Sequence, residues 1–149
     1  MTMKETPLDY AEKISKSFKA KADHNKTESL TCFTLILVAS LGAPLFITLG
    51  EGVFLGKVVP SILSVIAAGL TSWLQLRKPQ KLWSMYRGAQ RLIEDHITKY
   101  NFKVGDYKTL SDTDSLLAEK VAEIALNTHN EWTSVIPSPE ALSLNEVKK

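Results

Sequence analysis

Two stretches without a charged residue, Ser29 to Gly50 (22 residues) and Val58 to Leu76 (19 residues), constrain this chain more than anything else in it. At about 1.5 Å per helical residue, an apolar run of about 18 residues or more matches a hydrocarbon core about 30 Å thick. Each stretch is therefore long enough to cross a bilayer. The bulk figures hide this: 149 residues, 44% hydrophobic and a formal net charge of +2 describe an ordinary soluble domain. What lies outside the two runs is short and divided around them, which excludes a large soluble enzyme domain.

The single Cys32 excludes an intrachain disulfide, and the scattered His24, His96 and His129 offer no closed zinc site. The first apolar run follows 28 polar residues and no small-residue cleavage pattern, so the spans are expected to stay in the mature protein rather than leave as a signal peptide.

Helix signals fill the rest. Thr6-Pro7-Leu8-Asp9 supplies a hydroxyl cap, a first-position proline and a carboxylate in the first turn, predicting a helix over 6–28. Leu8, Ala11, Ile14, Phe18 and Ala22 form its apolar stripe. The first span, 29–50, carries Gly42 and Pro44, and the proline predicts a kink. A hairpin loop over 51–57 returns the chain into a second span, 58–76, antiparallel to the first. Pro79 follows as a hinge where the chain leaves the membrane. Two further helices are predicted over 79–100 and 112–132. The first has Leu82, Trp83, Tyr86, Ala89, Ile93, Ile97 and Tyr100 on one stripe, and the second has Leu117, Val121, Ile124, Thr128 and Trp132. Ser111 and Asp114 resemble a capping box, Arg91 and Asp95 are spaced to pair, and 133–149, with Pro137 and Pro139, reads as an irregular tail.

Orientation follows from the cations. Lys13, Lys16, Lys19, Lys21 and Lys26 precede the first span, Arg77, Lys78, Lys81, Arg87 and Arg91 follow the second, and the link holds only Lys57. Positive residues stay in the cytoplasm, so both termini are expected there.

The second span carries the most informative pattern. Ser61, Ser64, Ala68, Thr71, Ser72 and Gln75 share one helical face, while Ile62, Leu63, Val65, Ile66, Leu70, Trp73 and Leu74 cover the rest. Two uses fit. Small and hydroxyl residues let membrane helices approach closely. Alternatively, several copies turn this face toward a shared axis and line a water-filled path. Two spans cannot enclose a pore alone, so a path requires a homo-oligomer, with Glu51 at its outer mouth and Arg77 with Lys78 at its inner one; ordinary interfacial anchoring accounts for the same three residues. Neither span holds an ionisable side chain, which argues against an ion-coupled carrier. Ser84, His96 and Asp106 make no credible triad, and the glycines spell no phosphate loop. No enzyme, no cofactor and no nucleic-acid partner is expected.

The run Trp83-Ser84-Met85-Tyr86-Arg87-Gly88-Ala89-Gln90-Arg91-Leu92 resembles the post-membrane signature of the SLATT families, two-span proteins associated with second-messenger oligonucleotide synthetases in bacterial conflict systems. Leu117 to Trp132, with Val121, Glu123 and the closing His129-Asn130-Glu131-Trp132, resembles the last helix of the same group. The likeness runs from about Leu8 to Trp132, making 1–132 one domain, with Trp83, Tyr86, Arg87 and Trp132 as family-like packing residues. It implies a pore-forming effector of the membrane and so favours the pore over simple packing; either a separate nucleotide-signalling or sensor protein supplies the trigger, or this member is a stand-alone channel of the same architecture with another trigger.

The expectation is thus an all-α integral membrane protein: a two-span antiparallel hairpin whose cytosolic N- and C-terminal helices form a bundle. Its partners would be the lipid bilayer, further copies of itself and, if it conducts, ions. Its hinges would be Pro44 and Pro79. The competing expectation is a membrane-anchored helical scaffold that recruits partners and conducts nothing.

Overall fold

A computed structural model describes residues 5–108 and 111–135. Four α-helices follow one another: α1 (Pro7–Leu49), α2 (Val59–Arg77), α3 (Pro79–Phe102) and α4 (Thr113–Val135). A π-helical turn, Phe54–Val58, leads into α2, and a 3-10 turn, Gly105–Tyr107, lies between α3 and α4. No strand occurs among the described residues. The chain divides into two compact units, Lys26–Gln80 and the combination of Met1–Asn25 with Lys81–Lys149.

The Lys26–Gln80 unit is an antiparallel hairpin. Glu28, near its start, meets Trp73 and Arg77, near its end, while Gly42 faces Leu63. Ala39 and Ala43 are buried and Gly42 half-buried, so the small side chains that allow close approach belong to the first span. The second span answers with Leu63, Ala67, Leu70 and Leu74, each half-buried at spacings of three and four. A Cβ on Gly42 would stand 3.6 Å from Leu63 Cδ1, ordinary van der Waals contact.

Most of the hairpin's apolar surface is left outside. Only 11% and 6% of the two apolar windows are buried within the chain, which excludes both as core helices of a soluble domain. Leu41, Leu45, Ile47, Ile62 and Val65 all project outward. Such a belt is stable only against hydrocarbon, where each helix satisfies its own backbone. The chain is therefore a two-span membrane protein.

Two expectations about the hairpin change. First, no helix boundary falls at residues 28 and 29, because α1 runs unbroken from Pro7 to Leu49. No Gly or Pro separates its polar and apolar halves. Pro44, expected as a hinge, lies inside α1, where Thr48 donates its hydroxyl hydrogen to the carbonyls of Pro44 and Leu45 (both 3.1 Å). Second, the link is shorter than 51–57. Only Gly50 and Glu51 are irregular, after which the chain is already helical.

The tightness of that link explains its glycines. A Cβ on Gly50 would fall 2.4 Å from the Phe46 carbonyl oxygen and 2.8 Å from the Leu55 carbonyl carbon, and Gly52 adopts φ +80°. The π turn has its own reason. In it the Val59 N–H reaches back five residues to the Phe54 carbonyl, which widens the helix just before Pro60. A proline ring ordinarily collides with the carbonyl four residues earlier, and the wider turn relieves that contact.

The other unit is a bundle of α1's first half, α3 and α4. Ala11 and Phe18, Ala89 and Ile93, and Leu117 and Val121, all from the expected stripes of the three helices, form its buried core together with Tyr107 of the 3-10 turn, which the stripes do not include. Thr6 and Asp9 cap α1 reciprocally: the Asp9 N–H donates to Thr6 Oγ1 (3.1 Å), and the Thr6 N–H donates to the Asp9 carboxylate (3.2 Å). The Thr6 hydroxyl also donates to the Asp9 carboxylate (2.6 Å), and this bond, helped by the one from the Thr6 N–H, holds the Asp9 carboxyl below the usual carboxylate range. The cap of α4 lies one residue later than expected. Asp112, not Ser111, accepts from the Ser115 N–H (3.1 Å), while Asp114 accepts the Tyr100 hydroxyl (2.6 Å). Arg91 pairs with Glu94 (3.1 Å) rather than Asp95, which Lys99 holds at 2.7 Å. Helix α4 continues to Val135; Pro137, Pro139 and the rest of the expected tail lie outside the described residues.

Candidate functional site

Helix α2 has three sectors, each about a third of its circumference at about 100° per residue. Leu63, Ala67, Leu70 and Leu74 form the seam on the first span. Ile62, Val65, Ile66, Trp73 and Leu76 form an exposed apolar sector. Ser61, Ser64, Ala68, Thr71, Ser72 and Gln75 form the third, and all six are exposed. The hydroxyl face therefore does not pack against its own chain's first span.

Each hydroxyl on this face already has an acceptor. Ser61 donates to the Lys57 carbonyl (2.8 Å), Ser64 to Pro60 (2.9 Å), Thr71 to Ala67 (2.8 Å) and Ser72 to Ala68 (3.0 Å). These bonds to the carbonyl four residues back leave the oxygens outward with lone pairs free, able to accept from water or a neighbouring helix.

The far end of the hairpin is closed by a cluster that sequence reading does not assemble. Glu28 Oε1 accepts from Trp73 Nε1 (3.0 Å) and from Arg77 Nε (3.1 Å), and the Arg77 guanidinium lies 5.8 Å from the Trp73 ring centre. Arg77, expected at the inner mouth, is thus an ion-pair partner with its charge largely offset. A signal existed: Glu28 is the last charge before the first span and Arg77 the first after the second, so an antiparallel hairpin brings them level. Lys78 breaks the helix instead of Pro79, taking the left-handed conformation (φ 48°, ψ 49°) with its N–H on the Leu74 carbonyl (2.9 Å). Pro79 is fully buried as the first residue of α3, where its missing N–H costs nothing. At the opposite end Glu51 is exposed in the two-residue link, and Lys57 is exposed one turn beneath Ser61.

In the bundle unit, Arg87 anchors a polar chain. It donates to Asp23 and to Gln90 Oε1 (2.7 Å), and Gln90 Nε2 donates to Glu94 (2.6 Å). Gln90 is buried, so its amide relays between cation and carboxylate at no unsatisfied cost. Tyr86 stacks on Phe18 at 5.9 Å between ring centres, with the Lys21 ammonium 5.6 Å from the Tyr86 ring centre, and burial raises the Tyr86 phenol above its usual pKa. His129 stacks on Trp132 at 5.9 Å, and the two aromatic pairs line a cleft of about 440 Å³. No group of acids, His or Cys able to hold a metal occurs among the described residues.

A family model, SMODS and SLOG-associating 2TM effector domain 1, matches residues 11–133. The chain belongs to this SLATT family. The match spans α1 from its first turns through nearly all of α4, so the SLATT domain comprises both the hairpin and the bundle. No curated protein and no solved structure matches the chain. The SLATT resemblance carried by Trp83 to Leu92 and by Leu117 to Trp132 falls on α3 and α4. There Tyr86, Arg87 and Trp132 serve packing and polar bridging, and Trp83 is half-buried beside them. The family is one of two-span effector domains and is not a known enzyme family.

Proposed function

We propose that several copies of this SLATT chain assemble in the cytoplasmic membrane with the polar sector of α2 turned toward a common axis, forming an ion-conducting path that acts as the effector output. The observation that carries this reading is the exposed third of α2, Ser61, Ser64, Ala68, Thr71, Ser72 and Gln75, which its own hairpin leaves uncovered. In hydrocarbon that sector gains nothing from lipid, whereas neighbouring copies or water satisfy its outward lone pairs. The excess of cations beside the two chain-end sides of the spans supports cytoplasmic termini. The family description supports an effector role, and a separate signalling protein would supply the trigger.

Current across a planar bilayer holding the purified protein tests this. Ser64→Leu and Ala68→Leu should abolish conductance, because each places a branched chain on the proposed axis. Val65→Leu, in the lipid-facing sector, should conduct as the parent does. Equal currents from all four proteins would remove α2 from the lining, and silence of the parent, even with its trigger present, would favour a non-conducting scaffold.

A further inference from the structure

We propose that the path selects anions, and that Lys57 is the residue that sets this preference; the proposal rests on the conducting reading above. Charge at the ends of a neutral path decides which ion is concentrated there, since rings of carboxylates favour cations and rings of Lys or Arg favour anions. Between its ends the polar sector carries no formal charge. The decision therefore falls to the residues that continue that sector beyond Ser61 and Gln75.

At the link end, that residue is Lys57. The Ser61 hydroxyl bonds the Lys57 carbonyl at 2.8 Å, which places the two residues one turn apart on the same side of the helix. Lys57 is exposed, and among the described residues no carboxylate lies within ion-pair distance of it. Glu51 belongs to the irregular link before the π turn and does not continue the helical face. At the other end, Arg77 is held by Glu28 on the Trp73 side of the helix, away from the hydroxyls. Lys78 lies past the helix end in the left-handed conformation and, like Glu51, does not continue the helical face. The polar sector thus finishes at its link end on the Lys57 ammonium. In an oligomer it becomes a ring, and at physiological salt its field reaches about 8 Å, enough to fill a narrow mouth. Gln75 adds amide hydrogens on the sector itself, donors that an anion can use.

The test is the reversal potential in a potassium chloride gradient, with the full-length protein in a planar bilayer. The parent should reverse on the chloride side, and Lys57→Glu should move the reversal to the potassium side. Lys57→Gln should lie between them. Arg77→Gln, whose guanidinium is held by Glu28 away from the hydroxyls, should leave it in place. Helical circular dichroism and oligomer size of each variant confirm assembly. A parent that reverses on the potassium side overturns the anion assignment, and a Lys57→Glu protein that conducts with the parent's reversal overturns the role of Lys57. Either result leaves the conducting path standing, whereas absence of current in every protein removes the path itself and this inference with it.

Discussion

Gln90 is the residue whose chemistry is least visible in a hydropathy pattern and most consequential in the bundle. An acid there would pair with Arg87 and repel Glu94, while the amide accepts from one and donates to the other. Gln90→Leu should take one bond from each of its half-buried neighbours, which keep Asp23 and Arg91 as partners, and lower the bundle's stability by about 1 kcal/mol; a thermal melt of the detergent-solubilised protein would show it, and a melt equal to the parent's would refute the relay. His96 makes a second residue-scale prediction. Its Nδ1 contacts the Tyr107 hydroxyl at 3.1 Å, and burial, reinforced by Lys99, lowers its pKa from the usual 6.5. The unfolded chain then binds the proton more readily than the folded one. Stability from this site is full above pH 6.5 and is lost as pH falls through the lowered folded value. Melting temperature should drop on acidification from pH 7.5 toward 5.5, less steeply in His96→Gln. Individual partners such as Arg87 with Asp23, or Tyr107 with His96, depend on how distant segments meet, which a single sequence does not encode. The Thr6–Asp9 cap was legible because it is local.

At the scale of elements, periodicity and apolar runs mark five helical segments, the first two of which are one helix, α1. Gly50 marks a true end and Pro79 a true start, but the polar-to-apolar change after Glu28 marks no helix end, because a helix is indifferent to that change while propensity holds. The polar face of α2 was readable in full; its relation to the first span was not, since a helical wheel shows two faces and the hairpin divides it into three. Gly50 supplies the prediction here. Gly50→Ala drives a Cβ against the Phe46 carbonyl and the Leu55 backbone, so the return turn must open. The variant should lose the close approach of Gly42 and Leu63, seen as slower disulfide formation between cysteines placed at 42 and 63 in a Cys32→Ala background; an unchanged rate would refute the tightness of the turn. The clasp at the other end makes a complementary case: Glu28→Ala should leave Arg77 without its carboxylate and reduce resistance to unfolding in detergent by about 1 kcal/mol, half-exposed as the pair is.

For the whole molecule, composition pointed toward an ordinary soluble domain and was overruled by the distribution of charge along the chain. The outcome is a membrane hairpin and a helical bundle in one family domain. Core packing in the bundle is conventional, and Ile93→Ala, removing a fully buried side chain, should cost about 2–5 kcal/mol without touching the spans. Conductance of that variant, once folded at low temperature, should match the parent's in reversal potential even if it falls in amplitude.

The hydroxyl bonds of α2 also bear on how such a protein is made. Because Ser61, Ser64, Thr71 and Ser72 each donate to a carbonyl of their own helix, their hydroxyl hydrogens ask nothing of a neighbour when a newly synthesised chain enters lipid. On the assembly proposed above, insertion and association are then separate events, as they are for membrane helices generally. Single chains would lie dispersed in the membrane, and the act that arms them would be their meeting.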